Sequence, residues 1–227
     1  MIKVISYVLS DNSKPAGLLG SEYTDKFLPS LLSATPEIVG CTANVLNQDL
    51  AGGLPGDKMD AEQPSSAHSY EAAIEYWIES TADRMAGVLD AIEDSPGGQH
   101  SYWVRELVAK DTVEATEKPY LRLISPCLPK TRMPLPQVFQ FWCEHVEKAN
   151  RIHIGMSRYI RNWHEQPLTA GAPAYFGAPM LNFQSQEDWL ERFYVDEAGA
   201  EEIAADVGSF VDSFTPLLAR EVRIKEI

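Results

Sequence analysis

Hydrophobic positions in the first half of the chain follow two spacings, which predict four strands and two helices. Apolar alternation and β-branched residues predict strands over Ile2–Leu9, Ile38–Leu46, Tyr70–Glu79 and His100–Lys110. Helical spacing predicts a first helix over Ser21–Ser33, which Pro29 would kink or shorten. A second helix is predicted from Ser80, an N-cap with Asp83 three residues later, to about Ile92. The predicted order is βαββαβ.

The second half of the chain repeats this order. Strands are predicted over Tyr120–Ser125, Met156–His164, Tyr175–Phe183 and Leu217–Lys225. Helices are predicted over Pro136–Ile152, where proline suits the first turn, and from Ser185, which has Asp188 three residues later.

Short sequence matches support a tandem repeat. The pairs are Val4-Ile5-Ser6 with Leu123-Ile124-Ser125, Arg105-Glu106-Leu107 with Arg220-Glu221-Val222, Asn44 with Asn162, and Ser80-Asp83 with Ser185-Asp188. They predict two halves, 1–112 and 118–227, joined by the polar segment 111–118.

One connection distinguishes the halves. Asn44 and Tyr70 are 70 − 44 = 26 positions apart, whereas Asn162 and Tyr175 are 175 − 162 = 13 apart. The first half therefore has an extra loop, Asp49–Ala67, rich in glycine and proline. Long loops in compact domains are often functional, so we expect a mobile lid.

The element order predicts the α+β class. A βαββαβ unit covers one face of its sheet with helices and leaves the other face bare, and bare apolar sheet must be buried. Two ferredoxin-like halves in one chain can bury their bare faces on each other. The sequence therefore predicts an intrachain pseudo-dimeric α/β barrel with a lumen for a ligand. The architecture allows a homodimer of the pseudo-dimeric chain.

Charge narrows the range of partners. The 227 residues include 19 Lys and Arg and 33 Asp and Glu, a formal net charge of 19 − 33 = −14. Such a surface repels nucleic acid and anionic membranes, so neither is expected as a partner. The three cysteines are far apart in sequence and fit buried thiols in a reducing compartment. With no signal-type segment in the sequence, a cytoplasmic location is expected.

Two stretches carry a family resemblance. Phe141-Trp-Cys-Glu-His145 followed by Gly155-Met-Ser-Arg-Tyr-Ile-Arg-Asn162 resembles the EthD family of dimeric α/β-barrel proteins. Tyr70-Glu-Ala-Ala-Ile-Glu-Tyr-Trp-Ile-Glu-Ser80 resembles the family's third strand. The position of the family's helical histidine is occupied here by Val146, with His145 one residue earlier.

The resemblance implies a class of reactions. Barrels of this type host cofactor-independent lyases, isomerases, cyclases and dehydratases that act on hydrophobic, often aromatic, carbonyl compounds. Two alternatives stay open. One is an oxygen-using monooxygenase-type or haem-binding barrel in aromatic degradation, and the other is a non-catalytic small-molecule-binding protein. Fold analogy does not choose among them.

Strand alternation predicts which side chains face the lumen. The apolar set Ala72, Ile74, Tyr76 and Ile78 should lie under helices, which turns Glu71, Glu75 and Trp77 inward. The same reasoning turns inward Lys3, Ile5, Tyr7, Asn44, Arg122, Ile124, Arg158, Ile160, Asn162, His164, Phe176, Met180 and Asn182.

Glu75 and His164 are the principal candidates for acid–base chemistry. A carboxylate in an apolar barrel would have a raised pKa and could transfer protons. The alternative for Glu75 is a structural ion pair with Lys3 or Arg158. His164 titrates in a useful range, with a position at the rim beside Glu165 as the alternative.

The other candidates have supporting roles. His145 is a weaker catalytic candidate, at the edge of a helical apolar stripe. Tyr7, Asn44 and Asn162 could hold an oxyanion. The predicted substrate-binding residues are Asn44, Trp77, Arg158, Asn162, Met180 and Asn182. No metal or nucleotide motif is recognisable, so no cofactor is expected.

Overall fold

The computed structural model describes residues 1–10, 21–47, 69–113 and 117–226. The strands are β1 (Ile2–Leu9), β2 (Ile38–Leu46), β3 (Tyr70–Ile78), β4 (Gln99–Asp111), β5 (Leu121–Ile124), β6 (Cys127–Pro129), β7 (Met156–Pro167), β8 (Gly177–Phe183), β9 (Val211–Phe214) and β10 (Leu217–Lys225). The α-helices are α1 (Leu28–Ala34), α2 (Ala82–Glu93), α3 (Leu135–Ile152), α4 (Gln186–Leu190) and α5 (Glu197–Phe210). The predicted lid loop, Asp49–Ala67, lies outside the described residues.

Each half forms an antiparallel sheet with the ferredoxin-like strand order. The first half contributes β2-β3-β1-β4, and the second contributes β10-β5-β8-β7. The edges of the two sheets then pair with each other, β4 with β7 and β10 with β2. The eight strands therefore close into a barrel, and the predicted α+β pseudo-dimeric barrel is confirmed. The exact limits of the halves, 1–112 and 118–227, stay a prediction.

Alternation along the strands separates the inside of the barrel from its helix-covered outside. On β1, Val4 and Val8 pack with residues of α1 and α2, whereas Ile5 and Tyr7 belong to the apolar cluster of the lumen. In the second half, residues of α3 and α5 cover the outer face of β5, β7 and β8. Within the described residues, no helix is long and apolar enough to cross a membrane.

The first predicted helix is divided at its proline. A π-helical turn, Tyr23–Phe27, precedes α1, and Pro29 occupies the first turn of α1. There its missing N–H removes no intrahelical hydrogen bond. The wider π-helical turn before Pro29 agrees with the prediction that this proline kinks or shortens the helix.

One of the two predicted caps is correct. The Ser185 hydroxyl accepts a hydrogen bond from the backbone N–H of Asp188 at 3.0 Å. The prediction for Ser80 is wrong, because Thr81 is the N-cap of α2. Helix α5 was not predicted from the sequence, and its apolar stripe is interrupted by Gly199 and Gly208.

Gly155, at the bend between α3 and β7, is predicted to be intolerant of any side chain. An added Cβ would lie 2.3 Å from the backbone oxygen of Asp188 and 2.9 Å from that of Arg192. Because backbone cannot rotate away, Gly155→Ala should lower the free energy of unfolding by about 1–3 kcal/mol, as overpacking does. Gly87→Ala, on open α2 surface, should instead raise it by about 0.5–1 kcal/mol. Urea unfolding of both variants measures these changes in the free energy of unfolding. Equal changes in the two variants would contradict the prediction.

Candidate functional site

Charged side chains meet inside the barrel around Glu75. Its Oε2 lies 2.6 Å from Lys3 Nζ, and its Oε1 lies 3.0 Å from Arg122 Nη1. Asn44 Nδ2 donates to the same Oε1 at 2.9 Å. All four side chains are buried. The predicted structural ion pair between Glu75 and Lys3 is therefore confirmed. The second cation that contacts Glu75 is Arg122, and not Arg158 as the alternative suggested.

These contacts lower the pKa of Glu75. Burial raises the pKa, but Lys3 and Arg122 outweigh it, and hydrogen bonds from Lys3 and Asn44 lower the pKa further. The prediction of a raised pKa is therefore wrong. Glu75 is an ionised carboxylate at neutral pH, so it is no general acid and at most a weak base.

The remaining network has an approximate twofold arrangement. Lys3 contacts Glu106 and Asn162 Oδ1, the latter at 3.0 Å. Arg122 makes the corresponding contacts to Glu221 and to Asn44 Oδ1, the latter at 2.8 Å. Lys3, Glu106 and Asn162 form one triad, and Arg122, Glu221 and Asn44 form the other. Each triad combines two residues of one half with an asparagine of the other half.

Glu75 is the member of this network that breaks the symmetry. It contacts the cation of each triad, and the corresponding position of the second half is Met180. Met180 is fully buried in the apolar lumen cluster. Asn182, the counterpart of Trp77, accepts a hydrogen bond from Arg122 Nε at 2.9 Å. The lumen residues thus divide unequally between the halves.

A second layer of the lumen is aromatic and centres on His164. Its Nε2 lies 3.1 Å from the Tyr7 hydroxyl, and its ring stacks on Tyr102 at 4.3 Å between centroids. Burial lowers the pKa of His164 to about 3, although an interaction with the Tyr175 backbone acts in the opposite direction. The imidazole is therefore neutral at pH 7. Its buried Nδ1 makes no hydrogen bond of normal geometry to the described residues.

Tyrosines complete this layer. The Tyr70 hydroxyl lies 2.9 Å from His100 Nδ1 and 3.3 Å from the Tyr175 hydroxyl, which lies 3.3 Å from Thr215 Oγ1. Burial raises the pKa of Tyr7 and Tyr70 well above the usual range, so both are neutral phenols. Tyr7 was predicted from the sequence, whereas Tyr70, Tyr102 and Tyr175 were not, although Tyr102 alternates with His100 and Val104 along β4.

Other predicted site residues lie outside these two layers. His145 is on α3, where its Nδ1 lies 2.7 Å from Asp206 Oδ2 of α5. It is part of the contact between two helices, outside the barrel, so its inclusion in the catalytic set finds no support. Arg158 contacts Asp111 of β4 at 3.3 Å. Phe176 packs with Trp142 and Phe210 under the helices, so its predicted inward orientation is wrong.

Trp77 lies at the end of the barrel where β1 begins. Its ring is 4.9 Å from Lys3 Nζ, and it lines an open cleft of about 650 Å³. Trp103 and Glu106 also line this cleft. The cleft therefore adjoins the charged layer of the lumen, while the tyrosines and His164 lie deeper inside.

Comparison with known proteins identifies the fold. An anthrone oxidase-like protein matches with a TM-score of 0.51 and 9% identity, over 99% of this chain and 94% of that chain. A chlorite dismutase from Candidatus Nitrospira defluvii matches with a TM-score of 0.50 and 8% identity, over 98% and 91% of the chains. A protein of Fusobacterium nucleatum provisionally described as a monooxygenase matches with a TM-score of 0.50 and 8% identity, over 100% and 97%.

The chain has the ferredoxin-like dimeric α/β-barrel fold. No protein-family model matches it, and no curated protein matches its sequence. Identities of 8–9% establish the fold alone. The resemblance to the EthD family therefore stays a prediction.

Hydrogen bonds and ring contacts hold the four described histidines in place. His100 and His145 each have a ring nitrogen in a hydrogen bond to a neighbouring side chain, and His153 bonds the Phe193 backbone oxygen at 2.8 Å. His164 is enclosed by tyrosine rings. All four are buried, and none lines the cleft. The part of the chain that the structure describes also holds no cluster of three or more metal-ligating side chains.

Proposed function

We propose that this chain is an enzyme that transfers a proton next to the oxygen of a hydrophobic carbonyl or phenolic compound, without a cofactor of its own. The observation that carries the proposal is His164, a buried neutral imidazole bonded to Tyr7 through Nε2, whose Nδ1 has no hydrogen bond of normal geometry to the described residues. A ligand oxygen placed in line with Nδ1 would supply that hydrogen bond, and the net gain of one such bond is typically about 0.5–1.5 kcal/mol.

The two residues have different roles in this proposal. The Tyr7 hydroxyl donates a hydrogen bond to Nε2 of His164. Nε2 therefore carries no proton, and the proton of the neutral imidazole is on Nδ1. That N–H then donates to the substrate oxygen and stabilises the negative charge that develops there. A neutral imidazole with a lowered pKa is suited to this role, because it polarises a carbonyl without giving up its proton. Tyr7 is a positioning residue.

The ionised Glu75 is the base in this proposal. Its Oε2 contacts one donor, Lys3, and so retains a lone pair for a proton. Because Lys3 and Arg122 lower its pKa, it would deprotonate only carbon acids activated by a carbonyl and an aromatic ring. Anthrones and similar polycyclic ketones belong to this class. The apolar and aromatic lumen around Ile5 and Met180 suits such rings.

The predicted result is that His164→Gln and Tyr7→Phe each slow the reaction at least about tenfold, since acid–base and oxyanion groups typically contribute about a hundredfold or more. The measurement is hydrogen–deuterium exchange at the methylene of anthrone, followed by NMR in anaerobic D₂O buffer with the purified full chain. Tyr120→Phe, which removes a hydroxyl from a partly exposed ring, is the matched control and should exchange at the parent rate.

The same experiment separates the alternatives. Exchange no faster than in buffer, or equal in the parent and both variants, would contradict the assignment. Oxygen uptake with oxidation of anthrone in air would favour the monooxygenase-type alternative. Saturable binding of anthrone without exchange or uptake would favour a binding protein. Circular dichroism spectra of the variants verify that each one is folded.

A further inference from the structure

The cleft at the start of β1 is separate from the tyrosine layer and takes no part in the proposed reaction. It has a volume of about 650 Å³, within the range of small-molecule sites. Its walls come from Trp77 of β3, from Trp103 and Glu106 of β4, and from Glu165 of β7. Lys3 lines it too and is 94% buried (6% exposed).

Two indole rings give the cleft its aromatic surface. Trp103 is 40% exposed although it is among the largest apolar side chains, and Trp77 is half-buried. The other three tryptophans, Trp142, Trp163 and Trp189, are almost fully buried in helix-covered clusters. Trp77 pairs with Lys3 on the lumen face of the sheet and Trp103 pairs with Val4 on the outer face, so the two indoles border the cleft from different sides and can each contact a flat ring system.

The charges of the cleft are already paired. Arg105 Nε lies 2.7 Å from Glu165 Oε1. Lys3 contacts Glu75 at 2.6 Å and also contacts Glu106. A charged ligand would compete with these partners, and separating Lys3 from Glu75 would break a buried pair, which is costly. A neutral ligand leaves every pair intact.

We infer that this cleft is a second small-molecule site, selective for a neutral planar aromatic compound of two or three fused rings that contacts both Trp103 and Trp77. A ring hydroxyl or carbonyl would lie near the Lys3–Glu106 pair. The inference stands on the geometry of the cleft and does not depend on the proposed reaction at His164.

The test uses the five tryptophans of the chain as reporters. Their indole N–H signals are recorded in ¹⁵N–¹H correlation spectra of the full chain, assigned with single Trp→Phe variants, and followed during titration with 1-naphthol. We expect the Trp77 and Trp103 signals to shift with one common dissociation constant. The signals of Trp142, Trp163 and Trp189 should stay in place, since these rings are buried elsewhere.

Variants and charged analogues complete the experiment. Trp103→Leu should weaken naphthol binding about tenfold, whereas Leu107→Ala, another exposed position of β4, should leave it unchanged. 1-Naphthyl phosphate and 1-naphthylmethylammonium should each bind at least about tenfold more weakly than naphthol, because each disturbs a pair. His164→Gln should bind naphthol at the cleft as the parent does.

Several outcomes would overturn the inference. These are unchanged Trp77 and Trp103 signals at millimolar naphthol, equal affinity for the charged analogues, or loss of binding in His164→Gln but not in Trp103→Leu. The last result would place the ligand in the lumen and leave the proposed reaction untouched. Failure of anthrone exchange would leave the cleft untouched.

Discussion

Arg122→Met is expected to lower the free energy of unfolding by about 3–5 kcal/mol, the usual cost of removing one partner of a buried ion pair. Arg122 contacts Glu75 at 3.0 Å, Asn182 at 2.9 Å and also Glu221. Its removal leaves two carboxylates without this partner in the lumen. Methionine fills most of the arginine stem, so the loss reports on charge more than on a cavity.

The control for this prediction is an exposed ion pair. Arg105 and Glu165 have side chains that are 59% and 45% exposed, and such pairs contribute at most about 1 kcal/mol. Arg105→Met should therefore change stability little. Both variants are compared with the parent by urea unfolding at pH 7. An Arg122→Met variant no less stable than Arg105→Met would show that the lumen network is not holding the barrel together.

A marked loss of stability below about pH 6 is the second expected result. Burial lowers the pKa of His164 to about 3 and that of His153 to about 4, from an ordinary value near 6.5. At a pH between the folded and the unfolded pKa, each of these histidines is protonated in the unfolded chain and neutral in the folded chain. Stability therefore falls as the pH falls, by about 1.4 kcal/mol per pH unit for each histidine. From pH 6.5 to 4.5 the two together remove on the order of 5 kcal/mol.

The pH window separates the histidines from the carboxylates. The pKa values of Glu75 and Asp206 are also lowered, but their contribution is lost only below about pH 4.5, where the unfolded chain begins to protonate its carboxyl groups. Urea unfolding at half-unit steps from pH 7.5 to 4.5 measures the slope. His164→Gln should reduce that slope by about half. A slope of zero, or stability that rises toward pH 4.5, would contradict the buried neutral state of both rings.

Strand alternation predicted much of the lumen, because a strand places successive side chains on opposite faces. Lys3, Tyr7, Glu75 and Asn162 are found on the predicted inner face. Arg158 keeps the same register, opposite Asn182, but its side chain contacts Asp111 of β4 and does not join the network around Glu75.

The contacts between side chains on opposite sides of the barrel could not be predicted from the sequence. The partner of Glu75 depends on how far the two sheets are displaced along each other, which brings Arg122 of β5 to it. The environment of His145 likewise depends on Asp206, and α5 was not predicted. In both cases the deciding neighbour is remote in the chain, and local patterns contain no information about it.

β10 follows the other nine described strands in the chain and also closes the barrel, since it pairs with β2 on one side and β5 on the other. On the ribosome, β2 therefore has an unpaired outer edge until β10 has emerged. Open strand edges recruit other chains, and pairing of such distant segments is slow. Newly made chains should thus depend on chaperones during this interval. A version truncated before Leu217 should aggregate even though the first half is complete.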